Sequence, residues 1–485
     1  MELEGYYALA NSIDANYSLG ESFDPIGTNE DPFIGRFDGL GFSIFALNVN
    51  TMDDYAGLFG YVKSATVRNF TLSSGSVSGR DYTGAAVGYA YDSIIENIIN
   101  TQDVTGRSYV GGIVGAAEGS ESELTNLTNL INVGTVRATV ETAAGENSFN
   151  VGGIVGSLDN SKLDGTTYNL GAVIAGDSSA VGGLVGRATN STIGNENGEV
   201  IYNQLNVTGG HEVGGIVGQI DCSTVQNVAN YGDISAKGSK AENYQYHTAE
   251  QDKLDEDSSL TGTSINYENG VATVSVNVAN VGGIVGLSKS TQKDGDKVIG
   301  SVIRNTCNEG NVDVTQISDA THGDYYQAGN VGGVVGRAED TTISNAENKE
   351  NYIAGAHNVG GIVGYLGGSS TVDIGLNNGG DITATGARLA GKYDGFARER
   401  VRKQSGGSDE TFLIGNVGGI VGFLSGEKAQ IKNSGNRGSV HSAEITDQSN
   451  VLTISKAANV GGIVGKIDAS KPLDIEKIKT ETWSA

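Results

Sequence analysis

The residues best able to do chemistry are few and scattered. His211-Glu212 opens like the helical His-Glu-x-x-His motif, which holds zinc with two histidines one turn apart. Val213-Gly214-Gly215 follows, so no histidine stands at position 215, and the other four lie far off at 247, 322, 357 and 441. A serine nucleophile on a Gly-x-Ser-x-Gly elbow is missing as well. Cys222 and Cys307 cannot frame a disulfide scaffold and sit at different repeat positions, so they read as small buried residues. Acidic residues recur in turns, at Asp159, Asp164, Asp221, Asp233, Asp340 and Asp381. They would make a glycosidase or lyase only if two of them converged on one groove. Lys293-Asp-Gly-Asp and the run Asp252 to Asp257 are loosely calcium-like, yet both lack the full alternation of oxygen ligands. The expectation is a chain without catalytic residues, metal or cofactor.

The elements that would position any site must therefore carry the reading. Of 485 residues, 74 are glycine and 3 are proline, which excludes collagen, since that needs glycine every third residue and abundant proline. Disorder is also excluded, because 38% of the chain is apolar and the apolar residues recur in register. A formal charge of −26 argues against nucleic acid or an anionic lipid surface as partner. No stretch reads as a signal peptide or a transmembrane helix. The opening MELEGYYALAN already reads as folded structure, so targeting signals and anchors are expected outside this chain.

Glycine is concentrated in one sentence of sequence. Val-Gly-Gly-Ile-Val-Gly, or a close variant, begins at Val110, Val151, Val181, Val213, Val281, Val331, Val359, Val417 and Val460. Two looser copies precede them, Tyr55 to Gly60 and Thr83 to Gly88. The final glycines are Gly60, Gly88, Gly115, Gly156, Gly186, Gly218, Gly286, Gly336, Gly364, Gly422 and Gly465, and their shortest steps are 27 to 32 residues. A fixed period of that size signals a solenoid. A phosphate-cradling loop would need a helix after the glycines, whereas QIDCST, YLGGSS and SLDNSK are turns. Positions four and five are always apolar, and alternation would send them to opposite faces. The segment is thus either buried on both faces or bent at the paired glycines, a bend that glycine permits.

After the motif come a turn, a short strand such as STVQNVAN, an Asn-x-Gly step, and another strand such as DISA. Asn-x-Gly stands at Asn132, Asn169, Asn230, Asn308, Asn378 and Asn436, often with an asparagine three residues earlier, as at Asn97, Asn129, Asn227, Asn305, Asn345 and Asn433. Asparagine tolerates left-handed backbone, and stacked amides can bond one another in a ladder. A row of sugar-binding amides is the competing reading. Short Val/Ile/Thr strands between Gly/Asn turns, with no helical period, predict an all-β parallel β-helix of about 11–13 coils. Residues 1–50 are expected to form the lead-in and N-terminal cap, 51–468 the repeat solenoid, and 469–485 a linker or the start of another module.

The Val-Gly-Gly-Ile-Val-Gly copies, and Ala56-Gly-Leu-Phe-Gly60 above all, resemble the GLUG motif, and Tyr6 to Asn50 looks like the segment that leads into such repeats. The resemblance covers about residues 6 to 470. It implies bacterial extracellular proteins: adhesins like filamentous haemagglutinin, and the non-catalytic region of IgA-cleaving surface metalloproteases. It assigns no catalytic residue to the repeat.

The longer steps add residues mostly at one place, between the last strand of a coil and the next motif: near 237–279, 316–329, 387–414 and 444–458. One recurring insertion point predicts loops or hairpins along one edge of the rod, where recognition residues commonly sit. The first holds Tyr244 and Tyr246 and ends in a hairpin with an Asn269-Gly270 turn. The third holds Arg388, Lys392, Arg398, Arg400, Arg402 and Lys403, a basic island in an acidic chain. These are the candidate binding residues, for a host glycan or surface protein. A solvated loop that tolerates charge is the plainer reading, and a carbohydrate-active β-helix enzyme or a spacer in a larger protease are the alternatives.

Overall fold

The computed structural model describes residues 2–16, 22–139, 149–176, 178–196, 198–236, 240–247, 264–268, 271–294, 297–314, 328–355, 357–384, 387–389, 400–401, 410–413, 415–426, 428–442, 445–446, 453–454 and 458–467. Among them every regular element is a β-strand. The strands stack as four parallel sheets that run the length of the described chain, which is a parallel β-helix.

One coil shows the plan. Glu212–Gly214 lies on face one, Val217–Asp221 on face two, Thr224–Asn230 on face three and Ile234–Ala236 on face four. Each pairs in parallel with its counterpart one coil away, as Val213 with Val281, Val217 with Val285 and Val225 with Ile303. Faces two and four each hold eleven strands. The N-terminal strands Tyr6–Ala8 and Arg36–Asp38 stack on face three against Thr66–Ser73.

The six-residue motif turns out to be a corner and not one strand. Face one ends at the glycine in position two and face two begins at position five, with the glycine in position three and the apolar residue after it between them. The chain bends there, so Ile216 and Val217, neighbours in sequence, are both fully buried. The coil thus has four faces where the sequence suggested three strands. The first copy is also one residue shorter than the sequence alignment implied. Ala56 pairs with Thr83, the first motif position, so Tyr55 precedes the motif and Gly57 fills the second position.

Face three breaks strict alternation, and asparagine is the reason. Asn69, Asn97, Asn129, Asn227, Asn305, Asn345 and Asn433 have φ between 46° and 60°. One left-handed residue shifts the pleat by one, so residues three apart both point inward. The pairs Ile95/Ile98, Leu127/Leu130 and Val225/Val228 are all fully or almost fully buried.

Two residues after the second member of each pair comes an inward asparagine. Asn100, Asn132, Asn169, Asn203, Asn230, Asn308, Asn348, Asn377 and Asn436 form one ladder, each Nδ2 donating to the next Oδ1 at 2.7–3.0 Å. Most also donate to the backbone carbonyl that closes their own turn, as Asn230 does to Gly232 at 2.8 Å. From Asn100 to Asn377 these side chains are at most 1% exposed, which removes them from any role as a sugar-binding row. The ladder member near the end is Asn377. Asn378, the residue picked out by its glycine spacing, instead donates to Glu347 at 3.2 Å.

The ladder also explains the glycine at position three. A Cβ on Gly153 would overlap the Asn169 side chain and the Gly183 carbonyl, and Gly183 and Gly215 meet Asn203 and Asn230 in the same way. The final glycine answers to the coil below: a Cβ on Gly186 would overlap the Gly156 carbonyl and the Val151 amide. Gly-Gly and Asn-x-Gly, about twenty residues apart, are two halves of one packing unit.

Candidate binding surfaces

The insertions leave the rod where face four passes to face one. In the first, Lys240–His247 pairs antiparallel with Val271–Val278, and Ser264–Glu268 pairs with the same strand from the other side. That central strand runs without interruption from Val271 to Gly282, so its last residues lie on face one beside Glu212–Gly214 and Ala328–Gly332. Glu268 opposite Val271 leaves two residues for the hairpin; Asn269 and Gly270 themselves lie outside the described residues. The third insertion repeats the scheme. Glu410–Leu413 is flanked by Ala387–Leu389 and Arg400–Val401, then leads to Gly415–Gly418 on face one. In the fourth, Ile445–Thr446 pairs with Thr453–Ile454.

Tyr244 and Tyr246 lie two residues apart on the first strand of the first arm, in register with Val274 and Ala272. Arg388 and Arg400 lie on the two outer strands of the third arm, in register with Phe412 and Thr411 of the central strand that separates them. Lys392, Arg398, Arg402 and Lys403 lie outside the described residues, as does the segment 252–257.

Other candidates sit on the rod itself and were not singled out in the sequence. Immediately before the motif, one column reads Tyr55, Tyr82, Tyr109, Asn150, Ala180, Glu212, Asn280, Asn330, Asn358, Asn416 and Asn459. Its first three rings stack, Tyr55 on Tyr82 at 5.0 Å and Tyr82 on Tyr109 at 4.5 Å, and Tyr61 stacks on Tyr89 beside them at 4.8 Å. Burial, and the neighbouring hydroxyls and carboxylates after it, push the Tyr82 and Tyr89 hydroxyls above the ordinary tyrosine range. These rings spend their faces on each other, which makes them a spine and not a platform. From Asn280 onward the column becomes a further amide ladder, each Nδ2 donating to the preceding Oδ1 at 2.8–2.9 Å. Reading the residue before each motif copy down the chain would have exposed this column.

Glu212 stands at the junction, in register with Asn280, and its carboxylate contacts the His211 imidazole, both almost fully buried. This is the His-Glu pair of the sequence; Glu212 opens a strand and His211 stands just before it, and among the described residues no group of three His, Cys, Asp or Glu is placed to hold a metal. Glu118 and Asp159 are register partners on face two, and Glu118 accepts from the Tyr89 hydroxyl. Burial, then the Glu118 and Asp221 charges, raises the Asp159 carboxyl.

At the N-terminal end of face three a groove of about 440 Å³ opens between Tyr6, Arg36, Asp38, Arg68, Ile94 and Glu96. Arg68 bridges two carboxylates, Asp38 at 2.8 Å and Glu96 at 3.1 Å. Burial opposes ionisation of Asp38, but hydrogen bonds from Asn69, the Leu40 amide and Arg68 hold its carboxyl below the ordinary range. The Arg36 guanidinium lies over the Tyr6 ring, 5.5 Å from its centre.

No family model matches the chain. Halomucin of Haloquadratum walsbyi is 33% identical over 112 residues, 22% of this chain and 1% of halomucin. The immunoglobulin A1 proteases of Streptococcus sanguinis and Streptococcus pneumoniae are 30% and 29% identical over 192 residues, 38% of this chain and 10% and 9% of those proteins. The chain therefore spans a tenth or less of the curated relatives it matches. Among solved structures, a Bacteroides ovatus protein described as a candidate immunoglobulin A1 protease aligns over 71% of this chain and 78% of its own, at 18% identity and a TM-score of 0.36. Among the described residues no helix is long and apolar enough to cross a membrane.

Proposed function

We propose that this chain is a rigid, non-catalytic repeat segment of a larger extracellular bacterial surface protein, whose arms bind a host glycan or protein. The observation that carries this reading is the continuous strand Val271–Gly282, whose first part pairs within the first arm and whose last residues pair in the rod. A strand shared in that way ties the arm to the rod, so Tyr244 and Tyr246 stand on a strand paired with one that continues into the scaffold. The repeat array that resembles the GLUG motif, and the similarity to segments of halomucin and the streptococcal immunoglobulin A1 proteases, support a surface or secreted setting.

Binding arrays of host glycans and surface proteins test the reading, with the whole chain compared to one lacking 387–414 and to Tyr244→Ala/Tyr246→Ala. Loss of a ligand on either change is expected. Equal binding by all three forms would remove the arms as recognition elements.

A second reading, the spacer of a larger surface protease, is favoured by the 192-residue similarity to the two immunoglobulin A1 proteases. In that case the arms would contact another module of the same protein. The carbohydrate-active enzyme is the weaker alternative. Its best carboxylate pair, Glu118 and Asp159, lies on an outer strand face with Glu118 already engaged by Tyr89. Reducing-sugar release from polysaccharides by the chain, lost in Asp159→Asn, would establish it.

A further inference from the structure

The N-terminal groove on face three is lined by charges of both signs beside an aromatic ring and an aliphatic side chain. Its two cations, Arg36 and Arg68, balance its two anions, Asp38 and Glu96, inside a chain whose formal charge is −26. Strand stacking sets these residues in two rows, Tyr6–Arg36–Thr66–Ile94 and Ala8–Asp38–Arg68–Glu96, one coil apart along each row. The second row alternates acceptor, donor, acceptor, with spacing of about 4.8 Å between strands. Tyr6 is 78% exposed: Arg36 lies over one face of its ring and leaves the rest open to solvent, unlike the tyrosines of the face-one spine. Ile94, 44% exposed, forms the apolar wall at the far end of the first row.

We propose that this groove binds a neutral saccharide. A pyranose offers an apolar C–H face and a rim of hydroxyls, each both donor and acceptor. The face of the Tyr6 ring that Arg36 does not cover suits the apolar face. Asp38, Arg68 and Glu96 retain acceptor and donor capacity beyond their mutual bonds, and so meet hydroxyls of either polarity. An anionic ligand gains nothing from a groove whose charges cancel and is repelled by the acidic rod. A nucleic acid is disfavoured for the same reason. The groove's size lies in the range of small-ligand sites. The site is separate from the arms and does not rest on their binding anything.

The test uses the whole chain on an array of neutral and of sialylated or uronate-bearing oligosaccharides, with hits measured by titration calorimetry. Wild type is expected to retain neutral glycans. Tyr6→Ala should weaken them about tenfold or more, a loss of roughly 1.4 kcal/mol, while Tyr6→Phe keeps them and deletion of 387–414 changes nothing. Because Tyr6 is exposed, circular dichroism and melting should be unaltered in both point variants. Retention of no neutral glycan, a preference for acidic glycans, or wild-type affinity in Tyr6→Ala would each overturn the proposal. Binding lost only on deletion of 387–414 would overturn it too and leave the arms as the recognition site.

Discussion

Ile374 stands where the fold asks for asparagine. It occupies the left-handed position of face three, between Asn345 in the coil before and Asn433 in the coil after, at φ 58°. A β-branched residue in that region costs about 1–2 kcal/mol, because Cβ crowds the following carbonyl. The residue also interrupts the outer amide row, in which Asn345 donates to Asn305 at 2.9 Å. Ile374→Asn removes the strain and supplies a donor toward the Asn345 carbonyl, worth about 1 kcal/mol at a partly exposed site. Against this, Ile374 is 43% exposed, so roughly half of its side-chain burial is lost, about 1 kcal/mol. The expected net effect is stabilisation by about 1–2 kcal/mol. Global melting is a poor readout for a solenoid, whose coils open partly independently. Hydrogen exchange of the peptide 371–378 is the suitable assay, since 1.4 kcal/mol slows opening about tenfold. Ile374→Gly, which relieves strain without the amide, should slow exchange less. Asn345→Ile should accelerate it in its own coil. Unchanged or faster exchange in Ile374→Asn would refute the claim that backbone conformation selects asparagine in this column.

The inner ladder should be far less tolerant. Asn230→Leu strands the Asn203 amide, the Gly232 carbonyl and the Asn308 oxygen in the core, so a loss of about 3 kcal/mol or more is expected in urea unfolding. Asn100→Leu at the ladder's end should cost less, because Leu72 already fills that register one coil earlier. Gly419→Ala should prevent folding of the adjoining coils, since its Cβ would overlap the Gly462 carbonyl and Asn436, whereas Gly462→Ala, with open space around it, should melt like wild type. His357 supplies a pH test: burial, and then the Lys466 charge, pulls its imidazole from 6.5 down to about 3. The folded state therefore stays neutral while the unfolded state takes a proton. Stability is complete above pH 6.5 and falls by about 1.4 kcal/mol per pH unit from there toward pH 3, a slope that His357→Gln should remove in urea midpoints measured across that window.

Much of this architecture is legible in residue order, because a solenoid repeats its local requirements coil after coil. The glycine triplets, the Val/Ile/Thr strands and the left-handed asparagines at 97, 129, 227, 305, 345 and 433 all mark backbone geometry, which is a local property. What hid was lateral pairing. Asn100, Asn203 and Asn348 belong to the ladder without a glycine two residues on, so the spacing rule missed them and chose Asn378 over Asn377. The groove at Tyr6 and Arg68 also escaped, since its residues come from four successive coils and share no motif.

By itself the sequence determined the fold class, the period, the corner at which the arms emerge and the absence of a zinc-protease helix at His211-Glu212. Each follows from the backbone freedom of single residues or from short spacing. Only the tertiary structure decided what the glycines are for. The glycine at position three is small because an asparagine from the far side of the coil occupies the volume its Cβ would take, and the one at position six because the coil below reaches into it. Contacts between residues twenty to eighty positions apart depend on how coils stack, and stacking is a property of the assembled rod that no single repeat contains.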